Sequence, residues 1–146
     1  MLRATATSRT QHVVLRRLAD ELTALLDQLS QHDGLAVHDA LGRIGSALKL
    51  HAEMEIEGMY PQLLEHPDAE IRALAAKMIH RIKDVYDGFA TFRDAWTPER
   101  IRSNPETFVK QARFVIAALH DSTTSEEEGL YARVDAAFEA LQRGER

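Results

Sequence analysis

Residues 41–61 read LGRIGSALKLHAEMEIEGMYP, and within them Leu41, Ile44, Leu48, His51 and Glu55 follow at steps of 3, 4, 3 and 4. That spacing makes one continuous stripe along a helix, the stripe that faces a core. Its first part is aliphatic, and then a histidine and a carboxylate take the next two places. Burying a carboxylate charge is costly unless it is paired or bound to a metal. His51 and Glu55, four residues apart, project from one side of the helix and can reach a single cation, as inward-facing donors do in metal-binding bundles. A half-buried His–Glu hydrogen bond is the reading of this pair that needs no metal.

The pattern around this stretch predicts four long helices. The first spans from residue 8 or 10 to about residue 30, with Leu15, Leu18, Leu22, Leu25, Leu26 and Leu29 on its apolar face and His12 at the margin. Residues 1–8 are small and polar and are expected to fray. Residues 31–34 form the turn, with Gly34 suited to a helix end. The second helix covers residues 35–65, with Pro61 distorting its last turns and Pro67 ending it. Pro67, Asp68 and Glu70 start the third, which continues to about Trp96 with Ile71, Ala75, Met78, Ile82, Val85, Phe89 and Phe92 as its stripe. Thr97 and Pro98 open a short extra turn. Asn104 and Pro105 start the fourth, which runs to about Gln142 with Phe108, Ala112, Val115, Leu119, Glu126, Leu130, Val134, Ala137 and Leu141 on one face. Four long helices with short connections predict an all-α, antiparallel up-down-up-down four-helix bundle, with residues 1–146 as a single domain.

The second and fourth helices carry an echo. EIEGMY from Glu55 and EEEGLY from Glu126 share the frame E-x-E-G-(M/L)-Y, about 71 positions apart. If those helices run parallel, Glu55 and Glu126 lie at one level of the core. Two facing glutamates repel unless one is protonated or a cation joins them. The echo therefore favours a metal site over a lone His–Glu hydrogen bond.

Together, His12 in TQHVVLRRLADEL, the run HAEMEIEGMYP and the run SEEEGLYARV resemble the hemerythrin family, specifically the bacterial hemerythrin-like HHE cation-binding domains. The resemblance covers nearly the whole chain and implies the same four-helix bundle. It also implies two non-haem iron ions inside the bundle, held by histidines and two bridging carboxylates, that bind or sense dioxygen or another small diatomic ligand. Carried over by position, His12, His51, Glu55 and Glu126 match the family's ligands. The third-helix ligand falls to His80, and that of the fourth helix to His120.

Both of those places depart from the family pattern. The family has a histidine four or five residues before the fourth-helix carboxylate, where this chain has Ser122 and Asp121. His120 stands six residues before Glu126, a divergence of about 120° on an ideal helix. A π-bulge within residues 121–125 would relieve part of it. His80 points away from the third-helix stripe and shares its face with Ala73, Ala76 and Asp84. Either it faces a metal and the aliphatic stripe is left exposed as a homodimer surface, or it is a solvated residue. The other candidates read as structural. His32 sits in a last helical turn, His38 on the surface and His66 at a helix end; Tyr60 and Tyr131 pack with a wet hydroxyl, and Glu127 and Glu128 are solvated.

Composition limits the alternatives. The chain has no cysteine, so a metal would rely on histidine and carboxylate, a donor set that suits iron, manganese or zinc. A net charge of -5 without a basic block argues against a nucleic-acid partner. No apolar run reaches membrane length and no signal-peptide pattern opens the chain, so a cytoplasmic location is expected. No separate substrate-pocket motif is present, and no enzymatic reaction is assigned. The leading function is a non-haem iron protein, with two irons if His80 and His120 contribute and one if they do not. The alternative is a metal-poor helical interaction module that has lost part of the site.

Overall fold

Each apolar stripe becomes a helix in the computed structural model, which describes residues 2–29 and 34–144 and holds no strand among them. Helix α1 spans Leu2–Asp27. Helix α2, Gly34–Met54, passes through a π-helical turn, Glu55–Met59, into α3, Tyr60–Leu64. Helix α4 is Ala69–Ala95 and the short α5 is Pro98–Ser103. Helix α6, Pro105–Ser125, passes through a second π-helical turn, Glu126–Tyr131, into α7, Ala132–Gln142. The described residues thus form four long helical rods and one short helix. The turn at residues 31–33, with His32, lies outside the described residues.

Local chemistry sets the boundaries. Asp68 caps α4 by accepting from the Glu70 amide at 2.8 Å, and Thr97 caps α5 by accepting from the Arg100 amide at 3.2 Å. Pro61 distorts the second rod as expected, and the distortion takes the form of the π turn, which leaves the proline in the first turn of α3 where its missing N–H is tolerated. From Thr5 on, the residues expected to fray are held in place. Thr5 and Ser8 are buried, Thr5 donates to Asp135 at 2.7 Å and Arg9 pairs with Asp135 at 3.0 Å, so the first turns of α1 dock on α7. Further along, His12 meets Glu127 and Asp27 meets Arg113. Later residues of the first rod meet earlier residues of the last, so these two run antiparallel.

On α4 the residues Ile71, Ala75, Met78, Ile82 and Phe89 are buried and His80 is exposed. The aliphatic stripe faces the core, and the condition under which it would be a spare homodimer surface is not met. On the last rod Ile116 is buried where Val115 was expected, and Leu141 is exposed.

The core has two parts. One is built on Leu15, Leu22, Ile44, Leu48, Trp96, Phe108 and Leu119. The other is built on Met59, Tyr60, Leu63, Ile71, Met78, Leu130 and Tyr131. Trp96 anchors the first, packed edge-on to Phe108 at 5.2 Å between centroids, with its ring nitrogen donating to Gln111 at 3.0 Å. His51 falls between Leu48 of one part and Ala52 of the other, and Glu126 between Leu119 and Leu130. His51 and Glu126 therefore lie at the seam. No helix among the described residues is long and apolar enough to cross a membrane.

Candidate metal centre

At the seam, α1 contributes His12, α2 contributes His51, and the two π turns contribute Glu55 and Glu126; all four are buried. One donor atom each from His12, His51 and Glu126 lies within 4.8 Å of the others. His12 Nε2 is 3.0 Å from His51 Nε2 and 2.9 Å from Glu126 Oε1. His51 Nε2 is 3.0 Å from Glu55 Oε1 and 3.4 Å from Glu126 Oε1.

The other ring nitrogens fix what faces inward. His51 Nδ1–H donates to Gln11 Oε1 at 2.7 Å, and His12 Nδ1–H donates to Glu127 Oε2 at 2.7 Å. Arg16 holds the same Glu127 carboxylate at 2.9 Å. With Nδ1 held by an outer acceptor, each Nε2 turns to the centre, the position from which a neutral imidazole binds a metal. Glu127, read as solvated, is half-buried and orients His12; burial would raise its pKa, but Arg16 and His12 hold it below the usual carboxylate range.

The π turns account for the echo. Each closes with an N–H bonded five residues back, Tyr60 to Glu55 and Ala132 to Glu127. Positions five apart on an α-helix diverge by about 140°. The extra residue of a π turn brings them back toward one side, so Glu55 and Tyr60 are both buried, as are Glu126 and Tyr131. Each tyrosine then serves the other motif's glutamate. Tyr60 donates to Glu126 Oε2 at 2.6 Å, and Tyr131 donates to Glu55 Oε2. Burial and the Glu126 and Glu55 charges push both hydroxyls far above their usual pKa, so they remain donors rather than the wet hydroxyls expected.

The two carboxyls respond in opposite senses, as paired carboxylates do. Burial and the Glu126 charge raise Glu55 in spite of the neighbouring His51. Burial works against the charge on Glu126 too, but hydrogen bonds from His12 and His51 hold it far below the usual range. Burial likewise disfavours the charged form of His51, yet Glu126 and Glu55 raise its pKa to about 9.

His80 and His120 are not brought to this cluster. His80 is on the exposed side of α4, because the aliphatic stripe occupies the core side. The second π turn begins at Glu126, so residues 121–125 stay α-helical and nothing rotates His120 toward the centre. His120 is half-buried, and its carbonyl accepts from Thr123 at 3.0 Å. Beside His12, His51 and Glu126 a cavity of about 20 Å³ is walled in part by Ile82, Val85, Leu119, Ser122 and Thr123. His38 is half-buried and donates to the Trp96 carbonyl at 3.0 Å, correcting its surface reading. His66 Nδ1 accepts from the Asp68 amide at 3.0 Å beside the α4 cap.

Whether these residues fit a cation is decided by their acceptors. His12 Nε2, His51 Nε2, Glu126 Oε1 and Glu55 Oε1 converge, and the buried Glu55 Oε1 has no hydrogen-bond donor, because His51 is near it but not aligned to donate. A proton on His51 Nε2 serves only part of this set. A metal ion would serve all of it, and the residues fit one.

The family model described as Hemerythrin HHE cation binding domain matches residues 3–134. No curated protein and no solved structure shows a significant match. With buried histidines and glutamates converging inside an all-helical fold, and with the match spanning nearly the whole chain, the protein belongs to the hemerythrin HHE cation-binding domain family.

Proposed function

We propose that the protein binds a single non-haem iron ion through His12, His51, Glu55 and Glu126 and uses it to bind or sense a diatomic ligand such as dioxygen. The observation that carries this reading is the convergence of four buried acceptor atoms, one of them without any donor. Two imidazoles and two carboxylates, with no thiolate, are a donor set suited to non-haem iron, and family membership favours iron over manganese or zinc. When bound, iron supplies a centre that can take a small ligand and change oxidation state.

The chain's own residues shape the rest. Gln11 and Glu127 hold the imidazole rings, and Tyr60 and Tyr131 hold the carboxylates. The cavity of about 20 Å³ beside His12, His51 and Glu126 has room for about one water-sized molecule. Leu15, Leu48, Ile82 and Val85 give part of its wall an aliphatic lining. The four long rods are read as an up-down-up-down bundle around this centre. The exposed His80 and the half-buried His120, neither brought to the cluster, support one ion rather than two.

Elemental analysis of protein from iron-supplemented culture, with an optical spectrum in air, tests this. One iron per chain, retained in His80→Ala and His120→Ala, is the expected result. Two irons per chain would restore the dinuclear reading, and no metal would leave a helical interaction module.

A further inference from the structure

We propose that Met54 is an oxidation site read by the metal centre through Gln11, so that peroxide weakens metal binding. This rests on His51 being a ligand, as argued above.

Gln11 bridges the surface and the centre. Its Nε2 donates to Met54 Sδ at 2.9 Å, and its Oε1 accepts from His51 Nδ1–H at 2.7 Å. An amide offers donors at one end and an acceptor at the other, while a thioether only accepts. The sulfur therefore selects which end of Gln11 turns outward, and so leaves the carbonyl for His51. That carbonyl holds Nδ1–H outward and leaves Nε2 facing the centre.

Met54 is also the methionine that a dissolved oxidant can reach. It is 45% exposed, against 3% for Met59 and 4% for Met78, the other methionines among the described residues. A surface hollow of about 270 Å³, lined by Ser8, Gln11, Met54, Gly58 and Gln62 among others, opens beside it. Susceptibility to oxidation follows exposure.

In the reaction, a sulfur lone pair attacks one oxygen of hydrogen peroxide and the O–O bond breaks. An S–O bond forms, and the departing hydroxide takes the remaining proton to become water. Sulfur is oxidised by two electrons and peroxide is reduced. The new acceptor is an oxygen standing one bond beyond the sulfur, and stronger than it. The Gln11 amide must follow that oxygen, which draws its carbonyl off His51. Loss of a partner that orients a metal-binding histidine weakens affinity by about 10–100-fold.

Metal-free protein is treated with hydrogen peroxide, cleared with catalase, peptide-mapped and titrated with zinc, a redox-inert ion that takes the same donors. The expected result is sulfoxide at Met54 before Met59 and Met78, a zinc Kd weaker by about tenfold or more, and recovery after methionine sulfoxide reductase treatment. Met54→Leu should show no peroxide response. Gln11→Ala should be oxidised at Met54 with no further loss of affinity. The His51 Nδ1–H resonance in metal-free protein reports the coupling without metal, and should shift on oxidation in wild type but not in Met54→Leu. Oxidation spread evenly over the methionines would overturn the proposal, as would Met54 sulfoxide with an unmoved His51 resonance and unchanged affinity. If the resonance moves but no variant ever binds zinc or iron, the metal reading fails and the coupling stands.

Discussion

Tyr60 donates its hydroxyl proton to Glu126 at 2.6 Å although Tyr60 belongs to the sequence motif that begins at Glu55. The exchange is reciprocal, because Tyr131, from the motif that begins at Glu126, donates to Glu55. The internal echo is therefore two matched half-sites, each supplying a glutamate to the centre and a tyrosine to the other half's glutamate.

Tyr60→Phe keeps the ring and removes one donor from a buried carboxylate. A buried acceptor left without a donor costs about 1–3 kcal/mol. Denaturant unfolding of metal-free Tyr60→Phe and Tyr131→Phe should show losses of that order. Changes near zero in both would return the tyrosines to plain packing residues.

The sequence showed the rods and most of the centre because both depend on periodicity. Leu41, Ile44, Leu48, His51 and Glu55 stay in register on one α-helix until the π turn, and the structure buries all five. What ideal periodicity cannot show is a change of register. Glu55 and Tyr60 lie five apart and Glu126 and Tyr131 likewise, a spacing that an α-helix sends to different faces. The repeated five-residue Glu–Tyr interval, with Pro61 just after the first copy, was the readable sign of a π turn. The same register argument places the bulge at Glu126 and not before it, which is why His120 stays apart. Glu127 and Gln11 were missed because their roles depend on how helices dock, and no spacing within one helix reports that.

His51→Ala and His38→Ala separate site from scaffold on one helix. His51→Ala removes an Nε2 from the centre and should abolish metal binding, measured by elemental analysis. His38→Ala loses a hydrogen bond to the Trp96 carbonyl and should cost about 1 kcal/mol of stability with metal content unchanged. Loss of metal in His38→Ala would mean that the packing around Trp96 controls the centre from a distance.

Glu127→Gln should weaken zinc or iron binding by about 10–100-fold, because the carboxylate that fixes His12 becomes an amide able to present the wrong end. Arg16→Gln should weaken it less, since Glu127 then keeps His12 as its donor but loses the ion pair that steadies it. An affinity equal to wild type in Glu127→Gln would show that His12 needs no external orientation.

Metal binding should depend on pH in a definite direction. The folded-state pKa of His51 is raised to about 9 from 6.5. In metal-free protein its contribution to stability is fully present below pH 6.5 and lost as pH rises through 9. Glu126, depressed, contributes stability above its ordinary pKa of 4.5 that is lost as pH falls through its lower folded value. An incoming ion must displace the His51 proton, so zinc affinity should rise about tenfold per pH unit below 9 and level off above it. The stabilisation conferred by metal should rise with it. An affinity flat from pH 6 to 8, read by competition with a chelator, would mean that His51 is already neutral in the folded protein.

Glu55→Gln and Glu126→Gln should part company in metal-free protein while agreeing on metal. Both substitutions replace a charged oxygen donor with a weak amide, and both should lower metal content. In the absence of metal, Glu126 is a favoured anion, served by Tyr60, His12 and His51, so Glu126→Gln removes the charge that organises its neighbours and should destabilise the fold. Glu55 has its pKa raised, first by burial and then by Glu126, so its charge is a burden to the folded state. A glutamine there keeps an oxygen for Tyr131 and offers an N–H toward the anionic side of the centre. Glu55→Gln should therefore leave metal-free stability unchanged or increase it at pH 7, in the opposite sense to Glu126→Gln. Urea unfolding of the two variants after chelation decides the matter, since equal destabilisation would mean that the carboxylates share charge evenly and that the split between them is not what the metal replaces.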